Sequence, residues 1–297
     1  MGLSSLPNAP TFELPNMSEF QILVPFDFSP VTAQAARQAC VWFQHMPVTV
    51  VLFHVITGPQ KPVLGQKLEL FSNELSLLSG VKVISREKEG PLLSTLATEA
   101  ASGMYAMVMV GAHGPRGIRQ HLWGADILQL LWKLPVPALI VPKGSRLLDR
   151  PGGIVLPIGA QDAYAGLVKQ TASLAKLFDI PVYLYTLRRP AEQLSEAAII
   201  NRENARAFMV SHHLSVHAVE EEPRLVSFGF SRQTLDFADR VGANLIAMVP
   251  VALSDFAFIA DSEKVRLTGN RLNKIILSGG MVGESGKILA LPNLQSL

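Results

Sequence analysis

Cysteine is nearly missing from this sequence. Cys40 is the only one among 297 residues, so an intrachain disulfide and a cysteine-rich metal centre are both excluded, and a reducing compartment such as the cytosol is expected. Charge is sparse as well. Asp, Glu, Lys and Arg make up 17% of the chain and leave a formal net charge of +2, with the basic residues scattered. A nucleic-acid partner would call for a basic stripe, and there is none. No apolar run approaches the roughly 20 residues of a membrane span. Met1 to Ser18, rich in Pro, Ser and Asn, has neither the basic start nor the apolar core of a secretory signal. No Ser–His–Asp or Cys–His set is supported by spacing. The expectation is a soluble, cytoplasmic, non-catalytic protein without nucleic-acid or membrane partners.

What is abundant is apolar sequence, 48% of the chain, gathered into short unbroken runs. Such runs are the mark of parallel strands covered on both faces. In the first half they alternate with helical patterns. Strands are predicted at Phe20–Pro25, Val48–Val55, Val81–Arg86, Ala106–Val110 and Ala138–Val141. Helices are predicted at Val31–Gln44, about Lys67–Leu78, Pro91–Ser102 and Gly124–Lys133. Five strands joined by four crossover helices predict an α/β fold with a doubly wound parallel sheet.

The second half retraces the first. Ile154-Val-Leu-Pro157 echoes Ile22-Leu-Val-Pro25, Pro181-Val-Tyr-Leu-Tyr185 echoes Pro47-Val-Thr-Val-Val51, and Gly242–Val249 echoes Gly103–Val110. Helices are expected at Tyr164–Phe178, Ala191–His213 and Ser231–Val241, and strands at Leu214–Val219 and Lys274–Leu277. A repeat of this length points to two domains, with the polar stretch Lys143–Gly153 between them. The division is an N-terminal segment over 1–18, a first domain over 19–143, a second over 153–278 and a C-terminal tail over 279–297.

The richest segment is Met107-Val-Met-Val-Gly-Ala-His-Gly114, with nine residues between Gly114 and Gly124. It reads as a buried strand, a glycine-bearing loop and the start of a helix, an arrangement that offers backbone N–H groups to a phosphate. Gly111 is read as permitting a turn, and Gly114 as permitting close approach of a ligand. The Asp27–Ser29 pair after the first strand reads as a helix cap, His54 as a satisfied core histidine, and Glu220-Glu-Glu222 as a solvated strand edge. His212-His213 are adjacent, so they point apart and do not form a joint metal site.

Ile22-Leu-Val-Pro-Phe-Asp-Phe-Ser29, Val50-Val-Leu-Phe-His-Val55, Met109–Gly114 with Gly124, and Pro135–Val141 together resemble the universal stress protein family. The likeness covers about Glu19–Lys143 by motif and Gly153–Leu277 by pattern alone. It implies two adenine nucleotide alpha hydrolase-like domains paired through their last strands. It also implies an adenine-nucleotide site in the first domain, for ATP or AMP, with Mg2+ only alongside ATP. Pro25 and Val55 would line the base, Asp27 would meet the adenosine, and Val110, Gly111, His113, Gly114, Gly124 and Ala125 would carry the phosphate loop.

One residue departs from the family pattern, and its neighbour adds a second conflict. Ala125 stands where the family has Ser or Thr, and the missing hydroxyl is worth about 1.5–3 kcal/mol, or roughly ten- to a hundredfold in affinity. Asp126 places a carboxylate in the first turn of the helix, where it occupies the positive dipole end and repels a triphosphate. The second domain has Gly159 at the position of Asp27 and Val249-Pro-Val-Ala-Leu253 in place of a glycine loop, so no cofactor is expected there. Three readings stay open: a tandem stress protein with one nucleotide site, a nucleotide-independent binding module acting through protein partners or a small-molecule cleft, and a slow ATP hydrolase. Domain pairing within the chain is expected, with further homodimerisation left open.

Overall fold

The computed structural model describes residues 20–58, 62–112, 124–160, 164–187, 193–222, 230–249 and 267–279. The first half runs β1 (Phe20–Pro25), α1 (Pro30–Phe43), β2 (Val48–Ile56), α2 (Pro62–Ser79), β3 (Lys82–Glu89), α3 (Leu92–Ala100), β4 (Tyr105–Ala112), α4 (Gly124–Lys133) and β5 (Ala138–Pro142). The second runs β6 (Ile154–Pro157), α5 (Tyr164–Phe178), β7 (Val182–Leu187), α6 (Glu196–Ser211), β8 (Val216–Glu221), α7 (Phe230–Arg240), β9 (Leu245–Met248) and β10 (Ile275–Ser278).

The ten described strands lie in one sheet, in the order β3-β2-β1-β4-β5-β10-β9-β6-β7-β8. Every described pairing is parallel except β5 with β10, where Ile140 faces Ile276 across an antiparallel ladder. Each half is thus doubly wound, and the two halves meet through their last strands, as expected. One apolar cluster packs α1, α2, α5 and α6 on one face of the sheet, and a second packs α3, α4 and α7 on the other.

Burial explains which strands are central. All eight residues of β4 are buried, which is why its sequence is continuously apolar. β3 lies at the sheet edge, and only Val83 is buried in it. The predicted strand stopped at Arg86, short of Lys88 and Glu89. In the structure they belong to the edge strand, where charge discourages further pairing. β8, at the opposite edge, likewise reaches Glu221 beyond the predicted Val219.

The stretch between the halves is held by side chains from both. Gln38, fully buried in α1, donates from Nε2 to the Leu148 carbonyl at 2.7 Å and accepts the Leu148 N–H at 2.9 Å. Gln34 Nε2 donates to the Ser145 carbonyl, and Asn244 Oδ1 accepts the Gly152 N–H at 2.7 Å. The expected solvated edge at Glu220–Glu222 holds for Glu220 and Glu222, which are exposed, whereas Glu221 is half-buried and bonded. Glu221 accepts hydrogen bonds from the Tyr185 hydroxyl and Gln233 Nε2 and pairs with Arg240, while Glu220 pairs with Arg202. These carboxylates tie β8 to β7, α6 and α7.

Candidate functional site

In the order β2-β1-β4, the chain winds one way from β1 and the other way through β4. The crevice at the carboxyl ends of β1 and β4 is therefore a topological switch point, where open α/β sheets bind ligands. α4 leaves from this same edge, because a crossover between parallel β4 and β5 must start at the carboxyl end of β4. Its first-turn N–H groups have no acceptor inside the helix.

Alternation along the strands sorts the residues by face. Val55 and Val110 belong to the cluster under α3 and α4, as does Ala112, a floor residue the sequence reading did not single out. Pro25 is buried and, by alternation, faces the same side as Leu23. These four form an apolar floor. Its exposure is small: Val55 is 7% accessible and Val110 fully buried.

Gly111 requires a correction. It lies inside β4 and is absent from the glycines with positive φ, so no turn demands it. A Cβ at this position would stand 2.5 Å from the Val31 carbonyl oxygen and 2.9 Å from the Thr32 nitrogen. The glycine lets the first turn of α1 lie directly against β4.

Asp27 and Ser29 build the start of α1. Asp27 Oδ1 accepts the Ser29 N–H and the Thr32 hydroxyl, each at 2.9 Å. Ser29 is the N-cap, its Oγ accepting from the Thr32 N–H at 3.4 Å. Thr32 is thus a second residue that sequence reasoning missed, although Ser29-x-x-Thr32 was its visible signal. Between the two, Phe28 has φ +66°. A bulky side chain in this left-handed region costs about 1–3 kcal/mol. Edge contacts with Phe26, at 5.3 Å between ring centres, and with His54, at 5.2 Å, offset it at about 0.5–1.5 kcal/mol each. His54 Nδ1 lies 2.8 Å from the Phe26 carbonyl oxygen, which accepts its proton. The histidine is satisfied as expected but only half-buried.

The structure thus brings Pro25, Asp27, Val55, Val110 and Gly111 to one sheet edge, with Gly124 opening α4 at that edge. His113 and Gly114 lie outside the described residues, as do the side chains of Ala125 and Asp126. Among the described residues, no group of three His, Cys, Asp or Glu side chains is placed to hold a metal ion, and no helix is long and apolar enough to cross a membrane.

Comparison with known proteins agrees with this architecture. The model of the universal stress protein family matches residues 20–142. No curated protein matches the chain. Among solved structures, a universal stress protein from Archaeoglobus fulgidus DSM 4304 superposes with a TM-score of 0.62 at 12% identity, over 90% of this chain and 100% of its own. A protein of Pseudomonas aeruginosa UCBPP-PA14 described as belonging to the same family gives 0.57 at 18% identity, over 91% and 95%. A protein of unknown function from Pseudomonas aeruginosa PAO1 gives 0.57 at 18% identity, over 91% and 94%. Residues 20–142 therefore match the universal stress protein family, and the chain as a whole shares its fold with these solved structures.

Proposed function

We propose that this chain is a non-catalytic tandem stress protein whose first half holds one adenine nucleotide, ATP or AMP, at the β1/β4 switch point. The observation that carries the reading is a coincidence at one sheet edge. The apolar floor of Pro25, Val55, Val110 and Ala112 meets there the Gly111–Gly114–Gly124 spacing, whose last member opens α4. The base would lie on the floor, and the phosphates would take backbone N–H groups at the start of α4. With ATP, Mg2+ would neutralise phosphate charge. Asp27 would act mainly by fixing the loop beneath the adenosine, because its Oδ1 already accepts two hydrogen bonds. The second half, with Gly159 in place of Asp27, would serve as the structural partner.

A second reading has its own support. Ala125 contributes no hydroxyl and Asp126 adds a carboxylate in the first turn of α4, which favours a binding module that works without nucleotide.

Calorimetric titration of the full chain with ATP and with AMP separates the two, after acid extraction of a sample to check for carried nucleotide. The proposal expects saturable binding at one site per chain, lost in Gly114→Trp without a change in far-UV circular dichroism. No carried nucleotide and no heat of binding would favour the second reading.

A further inference from the structure

The helix α2 is apolar on two faces. Leu68 and Leu75 belong to the core cluster, as the inner stripe of a surface helix must. Leu70, Leu77 and Leu78 do not. They are 68%, 86% and 75% exposed, the three most exposed large apolar side chains among the described residues. Leu70 and Leu77 lie seven residues apart, two turns along one stripe, and Leu78 flanks them. Single exposed leucines need no explanation, but three gathered on one helix mark an interaction surface.

Charge identifies what covers the stripe. Lys67 and Glu74, both exposed, lie on one flank of it, three residues before Leu70 and four after. At 1.5 Å per residue, each stands about 5 Å along the helix from a point just past Leu70, on opposite sides. The other flank carries the neutral Gln66 and Asn73. A two-fold axis through that point, perpendicular to the helix, lays a second α2 antiparallel on the first and sets each flank against its own copy. Opposite charges at equal distances from the axis then coincide. The surface is self-complementary, which is what an isologous contact demands.

We propose that two copies of this chain associate through α2, antiparallel and centred on Leu70, with Lys67 of each copy paired to Glu74 of the other. Leu70 packs against its own copy at the axis, and Leu77 and Leu78 cover the first turns of the opposite helix. This contact is separate from the β5–β10 seam, which is satisfied within the chain. One helix per copy makes a small interface, so the association is weak and concentration-dependent.

Sedimentation equilibrium of the full chain, over roughly a hundredfold range of concentration up to about 0.2 mM, tests this. The mean mass of the wild type should rise from one chain toward two. Leu77→Glu should stay monomeric throughout. Lys67→Glu sets like charges together twice and should weaken association about tenfold or more, and adding Glu74→Lys to it should restore the wild-type constant. All three positions are exposed, so far-UV circular dichroism should not change. A wild type that is monomeric at every concentration would overturn the proposal and leave the stripe to a different protein. A dimer indifferent to Leu77→Glu, or a charge exchange that fails to restore association, would overturn it equally by placing the contact elsewhere.

Discussion

At the scale of single residues, the structure gives two of the sequence's oddities a packing role. Gly111→Ala would put a methyl group 2.5 Å from the Val31 carbonyl oxygen, a backbone contact that no rotamer can relieve. The expected cost is about 2–4 kcal/mol, read as a lower urea midpoint, and an unchanged midpoint would mean that α1 retreats freely. Cys40 is 1% exposed, and burial pushes its thiol from an ordinary 9.0 up to about 11, against a hydrogen bond with Ser79 that pulls it down. The sign follows from linkage: above pH 9 the unfolded chain releases this proton and the folded one retains it. Stability that is full below pH 9 is thus lost as pH rises through 11, by about 2–3 kcal/mol. Urea midpoints at pH 8 to 11 should fall less steeply in Cys40→Ala than in the wild type, and equal slopes would refute the assignment. Burial, then the Glu99 carboxylate, raises Tyr105 in the same direction, as burial and Glu221 raise Tyr185, so both variants should decline further above pH 10. Gly111 also shows the limit of sequence reading. Its spacing was visible, but its partner, the α1 backbone, is distant in sequence, and only the fold brings it near.

At the scale of elements, α1 ties the switch point to the sheet through Asp27, Ser29 and Thr32. Ser29→Ala removes the N-cap and should cost about 1 kcal/mol. Asp27 offers a sharper experiment. Asp27→Asn keeps a carbonyl oxygen to accept from Ser29 and Thr32, so the thermal midpoint should stay close to that of the wild type. Asp27→Ala strands both donors and should lower it clearly. Nucleotide affinity, measured on the same two proteins, then reports whether the carboxylate does more than hold the loop. If Asp27→Asn unfolds as readily as Asp27→Ala, the cap geometry does not support α1. β4, buried at all eight positions, was legible as a strand over Ala106–Val110 but was ended early, at a glycine that reads as a turn. The edge strands β3 and β8 were cut short because their charged ends resemble loops, although charge is what an exposed edge carries. The strand-end carboxylate of Glu221 was legible as charge but not as a hub, since Tyr185, Gln233 and Arg240 come from other elements.

At the scale of the molecule, the two halves share one sheet and two apolar clusters. The echo of Ile22–Pro25 in Ile154–Pro157 made the repeat legible, but no local pattern foretold that both apolar clusters would cross the seam. The cluster under α1 and α5 contains Leu139 and Leu277 together, and the opposite cluster contains Ile140 and Ile276. Trp42 and Phe43 of α1 meet Phe178 of α5 at 5.3 and 6.0 Å between ring centres. Separating the halves would therefore bare apolar surface on both faces of the sheet and unpair the edges of β5 and β10, a state with no compensating contacts. Thermal unfolding should accordingly show a single transition, with a calorimetric enthalpy equal to the van't Hoff value. Ile276→Asp, placed against Ile140 in the ladder, buries an unpaired charge at the seam and should lower that one transition by several degrees without splitting it. Two transitions in the wild type, only one of them shifted in Ile276→Asp, would show that each half is stable alone and that the seam merely joins them.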